Sequence, residues 1–150
     1  MNILHILDGY HIGGVETQAY EIIKYYPKGN KSYLVNTFSK VKDMKDRFIQ
    51  LKKNNYIEKI KNIKSESPAI IILQIYSFAK QNKINKIFIY PSNKKMLFVV
   101  IGAKFAGVKN IFMSLQNTLY GKKRLDILKK KILFYLLNML DVFFVPATKA

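Results

Sequence analysis

The strongest constraint on the fold lies at the start of the chain, where the periodicity changes across a glycine-rich loop. Asn2–Leu7 is a short apolar run, typical of a buried parallel strand, and residues 8–14 then contain three glycines. From Val15 the apolar residues recur at helical spacing until Pro27 and Gly29. A strand, a glycine loop and a helix predict the opening of an α/β nucleotide-binding fold. Free N–H groups at the helix start can meet an anion there, and glycine allows close approach.

The rest of the chain alternates apolar runs with helical patterns. Further strands are predicted at 32–38, 56–60, 86–90, 109–115 and 141–146, and helices at 15–26, 41–54, 69–80, 93–106 and 122–140. Ser67 is a predicted helix cap before Pro68, and the largely apolar helix that follows is expected to be covered on most sides. The alternation predicts a Rossmann-like, doubly wound parallel sheet with helices on both faces, in a single domain spanning residues 1–150.

The opening also resembles a known family. After a short strand and a variable loop, Gly13, Gly14, Val15 and Glu16 resemble the start of family-4 glycosyltransferases, which are two-domain GT-B enzymes. The resemblance implies the acceptor-side N-terminal domain of a retaining transferase, which moves a sugar from a nucleotide-sugar donor to a polysaccharide or glycolipid acceptor. It also implies that the C-terminal donor-binding domain is absent, so this chain alone is expected to be an inactive fragment.

Ligands of doubly wound sheets bind beyond the carboxyl ends of the strands, near the point where strand order reverses. Four segments are expected there: the loop 8–14, Pro91-Ser92, Gln116-Asn117 and Ala147-Thr148. The resemblance implies that Gly13 and Gly14 approach the sugar or phosphate of the donor. An ordinary tight turn is the alternative for this glycine pair.

Four further residues are candidates for the acceptor site or the cleft, namely His11, Glu16, Gln116 and Asn117. Gln116 stands where the resembled family often carries a histidine, and glutamine can bind a sugar hydroxyl but cannot take a proton. No catalytic residue is therefore assigned. Glu16 has the alternative role of favouring the helix dipole from the first turn. His5 lies in an apolar run and is expected to be a hydrogen-bonded core histidine.

Cofactor and metal chemistry find no matching pattern in the sequence. The first loop lacks G-x-G-x-x-G, and the second predicted strand ends in Asn36 and Thr37 instead of an acid, so a dinucleotide cofactor is not expected. The chain has no cysteine, and no His, Asp and Glu residues stand at metal-ligand spacing. We therefore expect neither a cofactor nor a metal site.

The net charge of +17 comes almost entirely from lysine, since Arg47 and Arg124 are the arginines. Compositional drift is one explanation of this charge. Nucleic-acid binders more often use arginine forks with interleaved aromatic residues, so no nucleic-acid partner is expected. The alternative to a transferase domain is nevertheless a non-enzymatic basic α/β module that binds an anionic membrane surface or nucleic acid.

Residues 122–140 combine a basic first half, with Lys122, Lys123, Arg124 and the lysines 129–131, and a second half that is apolar around the whole helix from Ile132 to Leu137, ahead of the helix end at Leu140. This order suits a helix lying on an anionic bilayer, and a core helix with a solvated basic end is the alternative. No apolar run reaches the ~18 residues of a membrane span, and no signal peptide is recognised. The expected location is the cytoplasm, peripheral to the inner face of the cell membrane.

Overall fold

The computed structural model describes residues 1–10, 13–27, 29–37, 44–90, 95–115 and 124–146. These residues form alternating strands and helices. The strands are β1 (Asn2–Leu7), β2 (Lys31–Thr37), β3 (Lys59–Ile63), β4 (Lys86–Ile89), β5 (Asn110–Leu115) and β6 (Val142–Pro146). The helices are α1 (Gly14–Tyr25), α2 (Lys45–Lys53), α3 (Pro68–Gln81), α4 (Lys95–Phe105) and α5 (Arg124–Met139).

All six strands belong to one parallel sheet with the order β3-β2-β1-β4-β5-β6. The chain builds outward from β1 to β3, crosses back, and builds outward again from β4 to β6. The direction of winding therefore reverses between β1 and β4, which is the switch point of a Rossmann-like doubly wound sheet. The predicted fold class is confirmed.

Successive strand residues point to opposite faces, so the sheet has two apolar cores. On one face, Leu7 of β1 and Leu34 of β2 pack with Ile23 of α1 and Phe48 of α2. On the other face, Leu4 and Ile6 of β1 belong to a core with residues of α3, α4 and α5. Helices thus lie on both faces, with α1 and α2 on one and α3 to α5 on the other.

Two helices of the second face approach each other closely at Gly102. A Cβ atom on this residue of α4 would lie 2.6 Å from the carbonyl oxygen of Ile72 on α3. Glycine is therefore required here by the contact between the backbones. Within the described ranges, no helix combines the length and the apolar character that crossing a membrane requires.

Two details of the predicted elements are wrong, and a third is confirmed in position only. The strand predicted at 56–60 is Lys59–Ile63, because a turn with Asn55 at φ 60 ends the preceding helix and delays the extended segment. Ser67 occupies the N-cap of α3 and Pro68 begins the helix, as predicted, although the Ser67 side chain makes no capping hydrogen bond. Helix α3 is also less covered than expected, since Ile70 is 42% and Leu73 64% exposed.

Candidate functional site

The loop after β1 meets the carboxyl ends of neighbouring strands at the switch point. Parallel register sets Leu7 beside Asn36 of β2 and Ile6 beside Ile89 of β4. The backbone N–H of Tyr90 donates to the carbonyl of Ile6 at 3.2 Å, so the pairing continues past the last residue of β4. This corner is where a doubly wound sheet holds its ligand.

Helix α1 begins at this corner with its glycine pair. Gly13 is the N-cap in an extended conformation, φ −156 and ψ 168, and makes no side-chain cap because it has no side chain. Gly14 is the first helical residue and is exposed. Apart from its chain neighbours and its own helix backbone, no heavy atom of the described residues lies within 4 Å of the position of a Cβ. Neither the backbone nor the protein surroundings require glycine at Gly14. The open space leaves its backbone accessible to a ligand.

Glu16 is buried, unlike the exposed Gly14 two residues before it. A Cβ on Gly13 would lie 3.0 Å from the Oε2 atom of Glu16. The carboxylate is therefore folded back towards the helix start, where a negative charge is favoured by the helix dipole. This geometry supports the alternative role that the sequence left open for Glu16.

Tyr10 ties the loop to three other elements. Its hydroxyl donates to Oδ1 of Asn62 on β3 at 3.1 Å, and its carbonyl accepts from the backbone N–H of Met44 at 2.8 Å. Burial raises the pKa of Tyr10, against the opposing effect of a hydrogen bond with Asn36. The ring packs 5.7 Å from that of Phe48, measured between centroids. The start of the glycine loop is thus fixed to β2, β3 and α2 by a neutral phenol.

Asp8 supplies a carboxylate at the carboxyl edge of the sheet, next to Thr37 at the end of β2. The hydroxyl of Thr37 lies 3.2 Å from Oδ1 of Asp8, which follows β1, and 3.1 Å from the carbonyl of Leu7. The neighbouring Asn36 is 4% exposed, and its Oδ1 has no hydrogen-bond partner among the residues that the structure describes. No local sequence signal predicts the contact of Thr37 with Asp8, because it depends on the parallel register that sets Leu7 beside Asn36.

His5 of β1 lies on the face of the sheet that α1 and α2 cover, further from the carboxyl edge than Asn36. Its Nδ1 is 2.9 Å from the hydroxyl of Tyr90, and burial lowers the pKa of His5 to about 3. Burial also raises the pKa of Tyr90. Both side chains are therefore neutral near pH 7, which confirms the predicted core histidine. The Nε2 atom of His5 is buried and has no partner in the described part of the chain.

The structure brings three of the predicted site residues together, namely Gly13, Gly14 and Glu16. The other candidates, His11, Gln116 and Asn117, lie outside the described residues, as do Pro91-Ser92 and Ala147-Thr148. Among the residues that are described, no three His, Asp or Glu side chains cluster in a way that would hold a metal ion.

Comparisons with known proteins bear on the fold. No family model matches the sequence, and no curated protein sequence matches it. A solved structure described as "AtPrR2 in apo form" superposes with a TM-score of 0.55 at 11% sequence identity. The match covers 97% of this chain and 46% of that one, so the chain spans less than half the length of that structure. At this identity the likeness shows a shared α/β fold.

Proposed function

We propose that this chain is the acceptor-side, N-terminal domain of a retaining glycosyltransferase of the GT-B type. The donor would be a nucleotide-sugar and the acceptor a polysaccharide or glycolipid. The observation that carries the proposal is Gly14, an exposed first helical residue with open space before it, set at the switch point of a doubly wound sheet. The resemblance of residues 13–16 to family-4 enzymes supplies the reaction class.

In this proposal the domain positions substrates and performs no covalent chemistry. Backbone N–H groups at the start of α1 carry partial positive charge, and they would meet the sugar or phosphate oxygens of the donor. Tyr10 holds the start of the loop against β3 and against Met44, the N-cap of α2. Most of the donor-binding energy would come from a second domain, and this chain alone would not transfer sugar.

We also propose a cytoplasmic location at the inner face of the cell membrane, where lipid-linked acceptors are presented. No cofactor is part of the proposal. Asp8 and Thr37 lie next to the glycine loop, and the proposed role of their hydrogen bond is to hold the end of β1.

The test is an NMR titration of the ¹⁵N-labelled chain with UDP-sugars and GDP-sugars. We expect affinity weaker than micromolar, with shift changes centred on the amides of Gly14 and Val15. Gly14→Val should remove these changes, because two methyl groups would fill the open space. Thr17→Val is the matched control, since Thr17 is exposed one turn further along the same helix.

Three results would contradict the proposal. Micromolar affinity for this chain alone would mean that the main donor site had been misplaced. An unchanged titration of Gly14→Val would mean that the glycine pair is only a turn. Equal shift changes with a DNA duplex would favour the non-enzymatic basic module.

A further inference from the structure

Helix α5 turns an apolar stripe away from the protein. Leu128, Ile132, Tyr135 and Met139 are 54%, 53%, 66% and 66% exposed. Their spacing of four, three and four residues places them on one side of the helix. The other side of α5 faces the core, where Leu137 is fully buried.

This arrangement bears on the two sequence interpretations of the helix predicted at residues 122–140. A core helix with a solvated basic end would bury its apolar residues and expose its lysines. The structure instead exposes both kinds of side chain, since Lys131 is exposed beside the exposed Ile132. Large apolar side chains grouped on an exposed helix face mark an interaction surface.

The charge of the helix identifies the kind of partner. Helix α5 contains four basic residues and one acidic residue, Asp126, and three of the basic residues are the consecutive lysines 129–131. A second copy of this chain would bring the same excess of lysine to the contact, and the net charge of +17 opposes such pairing. An anionic surface is complementary to both the lysines and the apolar stripe. Tyr135 also suits a boundary between water and lipid, because its ring is apolar and its hydroxyl polar.

We propose that α5 docks this protein on an anionic lipid bilayer. The helix would lie in the plane of the membrane with Leu128, Ile132, Tyr135 and Met139 at the level of the headgroups and upper acyl chains. Lys131, which is exposed beside Ile132, would meet the lipid phosphates, with its hydrocarbon stem along the apolar stripe. This contact does not depend on the proposed sugar transfer, because it involves no residue of the glycine loop.

The experiment is flotation of the intact chain with phosphatidylcholine vesicles, with and without phosphatidylglycerol. We expect binding to the anionic vesicles alone, and weaker binding at high salt. Changing Ile132 and Tyr135 together to serine should weaken binding at least about tenfold, since burying one such side chain is worth about 1.5–3 kcal/mol. Changing Lys129 and Lys131, which flank the stripe at helical spacing, to glutamine should weaken binding by about thirtyfold, from about 1 kcal/mol per lysine.

Leu73→Ser is the matched control, because Leu73 is a 64% exposed leucine on α3. It should bind as the unchanged protein does. Thermal unfolding of every variant shows whether the fold persists, and the lysine variants test the proposal even if the serine variant unfolds.

The proposal fails if the lysine variants keep their affinity for anionic vesicles. It also fails if Leu73→Ser loses as much binding as the α5 serine variant, or if the protein binds duplex DNA and ignores the vesicles.

Discussion

The two halves of one face of the sheet are covered in different ways. Over β1, β2 and β3, helices α1 and α2 seal the face, and Leu34 and Phe48 are fully buried there. Over β4, β5 and β6, the same face carries Phe88, Phe112 and Phe143, and the last of these rings is 54% exposed. Among the described residues, helices cover the first half, whereas the second half is covered mainly by its own rings.

The register of the strands explains how the second half covers itself. Paired residues place His5, Phe88, Phe112 and Phe143 side by side on adjacent strands. The centroids of neighbouring phenyl rings are 5.3 and 5.4 Å apart. Each ring therefore shields part of the next from water, and the ring at the sheet edge keeps one side exposed. Lys86 adds cover, with its Nζ 5.3 Å from the centroid of Phe112.

The largest expected effect tests whether helices really close the first half. Phe48→Ala should lower the free energy of unfolding by about 3–5 kcal/mol, because it removes a fully buried ring and leaves a cavity. The rings of Tyr10 and Tyr20 lie 5.7 and 6.0 Å from that of Phe48 and would lose their partner. Urea denaturation measures the change, and Phe48→Leu should cost under about 1.5 kcal/mol. A loss below about 1 kcal/mol for the alanine variant would mean that α2 does not seal this face.

The second prediction concerns His5, at the boundary between the halves. Burial lowers its pKa to about 3, whereas the ordinary value is 6.5, so the folded protein binds the proton less readily than the unfolded chain. The free energy of unfolding is therefore unaffected by the titration of His5 above pH 6.5. It decreases as the pH falls from 6.5 towards 3, because the unfolded chain takes up a proton on His5 that the folded protein does not. Between pH 7 and pH 5 it should decrease by about 2 kcal/mol.

His5→Gln provides the comparison, because glutamine keeps a polar group near the Tyr90 hydroxyl but does not titrate. Urea denaturation at pH 7, 6 and 5 should show a shallower pH dependence for the variant. The carboxylates contribute equally to both proteins, so the difference isolates His5. Parallel curves would show that His5 takes up its proton in the folded state as easily as in the unfolded one.

Much of the fold can be predicted from local signals in the sequence. Apolar runs, glycines and helical spacing are local signals, and they predict the strand–helix alternation and the doubly wound sheet. They also place the glycine loop at the switch point and His5 in the core. The offset of β3 by three residues arises at Asn55, whose left-handed conformation lengthens the turn. Asparagine permits that conformation but does not demand it.

Exposure and strand register are harder to predict, because they depend on distant residues. Residues 69–80 and 132–137 are apolar on most sides, and the pattern does not say which side meets the protein. The structure leaves Leu73 and Ile132 outside. The Asp8–Thr37 contact likewise joins residues from two strands and depends on their pairing. Local sequence thus indicates where the site lies but does not reveal the contacts that hold it.

The smallest expected effect tests the open half. Phe143→Ala should lower the free energy of unfolding of this chain by under about 1 kcal/mol, because the ring is 54% exposed and its main contact is one stacked neighbour. The same denaturation assay measures it beside Phe48→Ala, which changes the same residue type on the same face. Phe143→Leu should be indistinguishable from the unchanged protein. A loss above about 2 kcal/mol would mean that the ring is buried in solution, and sedimentation at several concentrations would show whether a second copy covers it. Both halves of the face would then be covered, the first by helices and the second by another copy of the chain, and the row of Phe88, Phe112 and Phe143 would be an interface.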